Sequence, residues 1–188
     1  RNFYVFEPKR RKISAAPFRD RIVHHTVVGV LEPIYERRFL HDSYACRKGK
    51  GTHRALDRVQ QYQRRHQFYL KTDIVRFFPN VDHQVLLELL GRSIRDEPLL
   101  RLIRQILASG KGVLADEATP RYFAGDDLFA VLRATGLPIG NLTSQFFANV
   151  LLDPIDHFVK EELRIPGYVR YADDLVLFAD SKARLWDA

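Results

Sequence analysis

Cysteine occurs once in 188 residues, at Cys46, and methionine not at all. One thiol excludes a disulfide framework and a cysteine-rich zinc module, and it suits a reducing compartment. No apolar run approaches the roughly 18 residues that a membrane span needs. The first residues lack a signal-peptide profile, and without methionine the sequence reads as a piece of a longer protein. Repeats and low-complexity tracts are missing, which removes solenoids and linker-rich chains. What remains is globular: 46% hydrophobic and 28% charged residues. That suffices for a sizeable core in one domain, or one and a half, and is too apolar for disorder.

The charge is unevenly placed. Residues 1–70 carry 16 basic and 6 acidic side chains, whereas 71–188 carry 14 basic and 17 acidic ones. Solvated helix faces alone can produce such a bias. It also fits a polyanion-binding front half joined to a rear half that gathers carboxylates.

Local patterns alternate irregularly. Residues 3–6 and about 12–16 read as strands around Glu7-Pro8-Lys9-Arg10, a hairpin with a basic tip. Asp20 is placed to cap a helix whose positions Ile22, Val23, Val27, Val30, Leu31 and Ile34 predict one buried stripe, bent at Pro33. A loop rich in Arg, Lys and Gly covers 43–52. Thr52 then opens a helix to about residue 66, with Ala55, Leu56, Val59 and Tyr62 inward. A strand from Phe68 ends at Asp73. Helices at about 82–91 and 96–109 precede an irregular stretch, 110–138, broken by Gly112, Pro120, Gly125, Gly136 and Pro138. A helix from Leu142 to about Leu163, kinked at Pro154, leads into a last hairpin, 168–171 and 175–178 around Ala172-Asp173-Asp174. This mix predicts an α+β fold rather than a doubly wound sheet.

Two adjacent aspartates between β-rich runs are physically odd, because Asp is depleted in strands and like charges repel. Asp-Asp can serve as turn chemistry alone. Asp73, however, ends another apolar strand. If the strands pair, three carboxylates meet at one sheet edge, a hard oxygen set for divalent cations and for phosphoryl transfer.

Tyr171-Ala172-Asp173-Asp174 resembles the Tyr-x-Asp-Asp signature of reverse transcriptases. Lys71-Thr72-Asp73-Ile74-Val75-Arg76-Phe77-Phe78 is similar to the family's preceding aspartate motif. Leu137-Pro138-Ile139-Gly140-Asn141-Leu142-Thr143-Ser144-Gln145 falls where the family carries Leu-Pro-Gln-Gly-x-x-x-Ser-Pro. Pro17-Phe18-Arg19-Asp20-Arg21-Ile22-Val23 resembles the fingers motif of group II intron-type enzymes. The order and the spacings of roughly 65 and 30 residues agree. Ile139-Gly140 in place of Gln-Gly, and Ser144-Gln145 in place of Ser-Pro, look like the reverse transcriptases of diversity-generating retroelements. Ala15-Ala16-Pro17-Phe18-Arg19-Asp20-Arg21 and Gly125-Asp126-Asp127-Leu128-Phe129 are similar to that lineage too.

The resemblance implies a right-hand polymerase fold. Residues 1–67 would be basic fingers contacting template and dNTP. Residues 68–188 would be a palm, a ferredoxin-like antiparallel sheet backed by helices, with part of 85–135 packing on the fingers. The helical thumb falls outside this chain. The implied activity is RNA-directed DNA synthesis with two Mg²⁺ ions, Mn²⁺ substituting. Implied partners are a template RNA, a DNA or cDNA primer, dNTPs and a small basic pentameric accessory protein, without a membrane, and the implied setting is cytoplasmic, the protein being bacterial, archaeal or phage-encoded. Group II intron, retron and abortive-infection enzymes, or an idle RNA-binding relative, are the alternatives.

Role by role, the resemblance makes Asp73, Asp173, the weaker Asp174 and the carbonyl of Ile74 the metal ligands. Phe78 would gate against a 2′-hydroxyl, with Phe77 the core ring. Arg11 and Arg19 would reach the triphosphate through guanidinium forks, with Lys9, Arg10 and Lys12 in reserve and an ion pair of Arg19 with Asp20 or Glu32 as the structural reading. Ile139 and Gly140 would lie against the incoming nucleotide. Ser144, Gln145 and Tyr171 would face template or primer, and Arg47, Lys48, Lys50 and His53 would clamp a nucleic-acid backbone. His24 and His25 diverge on a helix and read as core or satisfied histidines. Asp126-Asp127 reads as a loop, and Cys46 as inert.

Overall fold

Local rules set most of the elements. The structure, a computed structural model, describes residues 2–6, 10–119, 122 and 126–188. Glu7, Pro8 and Lys9 of the expected basic tip, and Pro120 and Gly125 of the irregular stretch, lie outside the described residues. The chain divides into two compact units, each built from separated segments: 1–32 with 76–151, and 33–75 with 152–188. Compactness thus interleaves along the sequence, whereas the expected division of roles at 67/68 is linear.

In the first unit, β1 (Asn2–Val5) and β2 (Arg11–Ser14) form an antiparallel hairpin, Val5 opposite Arg11. Helix α1 (Phe18–Tyr35) begins two residues before Asp20, which sits in its first turn and does not cap it. Its buried positions are His24, Val27, Val28, Leu31 and Tyr35, while Ile22 and Val30 are half exposed. The expected stripe is therefore rotated. His24 is buried as a satisfied histidine, as expected, and shares a hydrogen bond of 3.0 Å with Thr143 Oγ1. Pro33 lies inside α1 without ending it. A short α3 (Phe77–Asn80) was not legible beforehand.

Helices α4 (His83–Gly91) and α5 (Glu97–Ser109) start where expected because each has an aspartate cap. Asp82 accepts from the amides of Gln84 and Val85, and Asp96 from that of Leu99. Each cap contributes about 1 kcal/mol. The two helices pack together, with Leu86, Leu90 and Ile103 fully buried. Residues 128–132 form a short 3₁₀ turn capped by Asp127, and Asp126 pairs with Arg133, so the second Asp-Asp pair is loop chemistry. Helix α6 (Leu142–His157) holds Pro154 in its interior and continues as a π turn through Glu162.

The second unit is a three-stranded antiparallel sheet of β3 (Phe68–Asp73), β4 (Gly167–Tyr171) and β5 (Asp174–Ala179), ordered β3-β5-β4. Strand periodicity assigns its two faces. Tyr168, Leu175, Leu177 and Ala179 join Val159, Ile165 and Leu185 of α7 (Lys182–Trp186) on one face. Val169 and Phe178 meet Ala55 and Tyr62 of α2 (Thr52–Gln63), with Tyr44, on the other. A Cβ at Gly167 would stand 2.8 Å from both the Tyr62 ring and Phe178 Cβ. Glycine there lets Tyr62 stack on Phe178 at 5.4 Å. Leu56, expected inward, is exposed on the far side of α2.

Candidate active site

The β4–β5 connection is two residues long, Ala172 and Asp173, with Tyr171 opposite Asp174. Ala172 has φ 54°, left-handed backbone that costs a side-chain-bearing residue roughly 1–2 kcal/mol. On the other edge of β5, Asp73 is the direct partner of Asp174. The Ile74 amide donates to the Asp173 carbonyl at 3.2 Å. The expected strand pairing is therefore present, and Asp73, Asp173 and Asp174 share one end of the sheet.

Asp73 is exposed, and Asp173 and Asp174 are half-buried. Like charges directly opposite in a ladder repel. Lys71, two residues before Asp73 on the same face, offsets part of this with its ammonium 3.4 Å from Asp174 Oδ1. Solvent reaches both partners, so the pair contributes less than about 1 kcal/mol. Among the described residues no set of three metal-ligating side chains stands closed around a point. The donor chemistry at this open sheet end is carboxylate oxygen, the type that hard divalent cations take, with the Lys71 ammonium beside Asp174. Tyr171, on the same sheet face, shares a hydrogen bond of 3.0 Å with Thr52 Oγ1 at the start of α2. Neither Lys71 nor Thr52 was singled out by motif reading for these contacts, and only the register reveals them.

The basic loop differs from expectation. The Arg47 side chain is 4% exposed and forks onto Glu36 through Nε and Nη2, while Nη1 donates to the carbonyls of Leu40 at 2.6 Å and Ser43 at 2.8 Å. It is spent on holding the loop and has no donor face to offer a nucleic-acid backbone. Lys50 donates to the His41 carbonyl at 2.7 Å and lies over the Tyr44 ring. Lys48 and His53 are exposed.

In the first unit, Arg11 and Arg19 are exposed on β2 and the first turn of α1. Lys12 is engaged with the Val113 carbonyl and Asp116, and Arg10 lies over the Tyr4 ring. Phe77 is buried and Phe78 half-buried, edge to face at 5.2 Å, which matches the division of the pair into core ring and accessible ring. The Ile139 carbonyl accepts from the Ser14 amide at 2.7 Å. Gly140 has φ 117°, and a Cβ there would stand 2.8 Å from Ile13 Cγ2. The close approach of β2 is thus one structural reason for glycine at this exposed position. Ser144 is 4% exposed, and Gln145 beside it is exposed. Ser144, Asp20, His24, Gln105 and Asn141 line a cavity of about 410 Å³ in this unit.

Buried charge in the second unit is heavily paired. Asp42 receives Arg58, Tyr62 and Tyr44. Burial pushes its carboxyl up, but the hydrogen bonds from Arg58, Tyr62 and His41 outweigh that and hold it below the usual carboxylate range. Asp156 and Arg170, both fully buried, form two bonds of 2.7 Å, and Tyr168 donates to the same carboxylate at 2.6 Å.

Asp73 and Asp174 thus face each other across the sheet end, with Asp173 on the adjoining hairpin turn. The reverse transcriptase (RNA-dependent DNA polymerase) family profile matches residues 7–188, and the chain belongs to that family. It is similar to the group II intron-encoded protein LtrA of Lactococcus lactis subsp. cremoris, 27% identical over 151 residues, which cover 80% of this chain and 23% of that protein. It is similar to the mitochondrial Nuclear intron maturase 2 of Arabidopsis thaliana, 30% identical over 124 residues, 57% of this chain and 17% of that protein. A 91 kDa protein in the cob intron of Schizosaccharomyces pombe is 28% identical over 151 residues, 80% of this chain and 17% of that one. The chain therefore spans about a fifth of the length of these relatives, and the kinship is with reverse transcriptases of group II introns. No helix among the described residues is long and apolar enough to cross a membrane.

Proposed function

We propose that this chain is the fingers and palm of an RNA-directed DNA polymerase that copies a template RNA into cDNA from dNTPs. The observation that carries the reading is the register: Asp73 opposite Asp174, with Asp173 on the adjoining turn. Asp73, Asp173 and the Ile74 carbonyl would hold Mg²⁺, or Mn²⁺ in its place, with Asp174 a weaker ligand because Lys71 already shares it. When bound, the metal supplies neutralisation of phosphate charge and a lowered pKa for the primer 3′-hydroxyl. The chain's own share is positioning. The ladder fixes the spacing of the carboxylates, Thr52 steadies Tyr171, and no protein nucleophile is required.

The exposed guanidinium groups of Arg11 and Arg19 suit a triphosphate, and half-buried Phe78 suits a sugar gate. Lys48 and His53 remain accessible to a nucleic-acid backbone. Within the family we assign the chain to the diversity-generating retroelement type, a bacterial, archaeal or phage-encoded protein working in the cytoplasm with a small basic pentameric protein. Ile139-Gly140 and Ser144-Gln145 support this. An apolar side chain at 139 cannot hydrogen-bond a nascent base pair, which favours error-prone copying. An Ile139→Gln variant with unchanged misincorporation on one template would remove that explanation. An idle RNA-binding relative is the second reading, favoured by the maturase among the similar proteins.

Primer extension on an RNA template with Mg²⁺, comparing wild type with Asp173→Asn, tests the proposal. Extension by wild type and none by the variant is the expected result. Template binding without extension by wild type would overturn the polymerase reading and leave the RNA-binding one. Extension with no template added would point to the abortive-infection type.

A further inference from the structure

Ala172 sits in left-handed backbone with no glycine to make that easy. Such a conformation persists where the surroundings over-determine it. One contact on this turn comes from beneath the sheet. Arg170, fully buried on β4, donates from Nη1 to the Ala172 carbonyl at 3.1 Å. Its other donors are fixed elsewhere: Nε and Nη2 to the two oxygens of Asp156, and Nη2 also to Ser43 Oγ at 3.2 Å. Asp156 is steadied in turn by Tyr168. The β4 backbone around Arg170 is pinned as well, since its amide donates to the Asp42 carbonyl and its carbonyl accepts from the Tyr44 amide, both at 2.9 Å.

We infer that Arg170 is a positioning residue: its planar fork, locked by Asp156, holds the Ala172 carbonyl and so sets the turn that presents Asp173. The chemistry explains why arginine is used. A guanidinium has five donors in fixed directions and stays charged when buried, so one group can satisfy a carboxylate and a carbonyl at once. A lysine ammonium at the same site is a point donor on a flexible stem. It can satisfy Asp156 and keep the charge balance, but it cannot also span the fork to Ala172. Asp156 then acts on the catalytic turn through Arg170, without touching substrate. The kinetic part of this inference rests on the polymerase reading above; the structural part does not.

The test uses the full-length protein, with Arg170→Lys set against Leu185→Ala, a core truncation on α7 remote from the turn. Three quantities are read: the melting temperature, amide hydrogen exchange of the segment Tyr171–Leu175 without metal, and primer-extension kcat and KM for dNTP. The expected result is at least tenfold faster exchange in that segment and at least a tenfold loss of kcat for Arg170→Lys, with KM within twofold. Leu185→Ala should keep both exchange and kcat within twofold at an equal or larger loss in melting temperature. Equal losses of kcat at equal melting temperature, or unchanged exchange in Arg170→Lys, would overturn the proposal. If wild type extends no primer, the polymerase reading fails, while the exchange comparison still decides what Arg170 holds.

Discussion

At the β4–β5 turn, three carboxylates stand open to solvent or half-buried, with Lys71 as a loose partner. Beneath the same sheet, Asp156 and Arg170 are fully buried and doubly bonded. The residue types are the same and the physics is opposite. An exposed carboxylate is well hydrated, keeps its charge cheaply and can exchange water for a cation or a phosphate-bound metal. A buried one must be paired and hydrogen-bonded at every lone pair, or it costs several kcal/mol. Charge is available for chemistry where the fold leaves it open to solvent, and it serves as architecture where the fold surrounds it. The Asp73–Asp174 repulsion at the open end is the cost of keeping two acids adjacent.

The largest effect should come from the open end, and it should be purely functional. Asp173→Asn is nearly isosteric and removes only the charge. Extension should fall by roughly three orders of magnitude, matching the several kcal/mol of charge stabilisation a metal site supplies. The melting temperature should stay within a degree or two, and template binding should be unchanged. A variant that unfolds instead would place Asp173 with the architectural acids and break the comparison.

The mirror experiment is Asp156→Ala. It strands the buried Arg170 charge, so unfolding in urea should show a loss of about 3–5 kcal/mol. Replacing Asp156 and Arg170 together with Leu and Met should recover most of that stability. It should not recover extension, because the Ala172 carbonyl stays unheld.

The basic loop gives the third and smaller contrast. Arg47→Ala should cost about 1.5–3 kcal/mol, since it removes charge-assisted hydrogen bonds to Glu36 and two backbone carbonyls. Lys48→Ala should leave stability within about 0.5 kcal/mol. It should lower RNA affinity and reduce the slope of log affinity against log salt by about one. Titrations at several salt concentrations check both variants. Equal loss of RNA affinity in the two would return Arg47 to the binding surface.

These contrasts show where sequence reading succeeded. The hairpin around Ala172-Asp173, the strand ending at Asp73 and the capped helices α4 and α5 were legible because each is specified within a few residues, by strand propensity or an aspartate cap. Pairing of Asp73 with Asp174 was legible only as a condition, since register depends on the whole sheet. The packing partners of Arg47, Gly140 and Ser144 were not legible. Each is decided by a partner distant in the chain or by burial: Glu36 for Arg47, Ile13 of β2 for Gly140, and the cavity wall for Ser144. The stripe of α1 was misread for a related reason. Hydropathy counts Ile22 as inward, yet it is half exposed, while His24, read as a core or satisfied histidine, is buried against Thr143.

Two histidines sharpen the buried-against-open comparison at the smallest scale, through the sign of a pH slope. Burial lowers the pKa of His24, with Asp20 opposing. The unfolded chain then takes up the proton first as pH falls below 6.5, so the stability this site contributes is complete above 6.5 and is lost toward the lowered pKa. His157 is more open, with Nδ1 2.7 Å from Glu161 and Nε2 3.1 Å from the Arg38 carbonyl. Both ring nitrogens face acceptors, which favours the imidazolium, and the hydrogen bond to Glu161 raises the pKa above 6.5. Its contribution is complete below 6.5 and is lost as pH rises through the raised pKa. Urea unfolding from pH 5 to 8.5 should therefore show two limbs. His24→Asn should flatten the acid limb alone, because an amide keeps a hydrogen bond to Thr143 but does not titrate. His157→Gln should flatten the alkaline limb alone. If both substitutions flatten the same limb, burial is not what separates the two sites, and the distinction between buried and open charge fails at its most sensitive point.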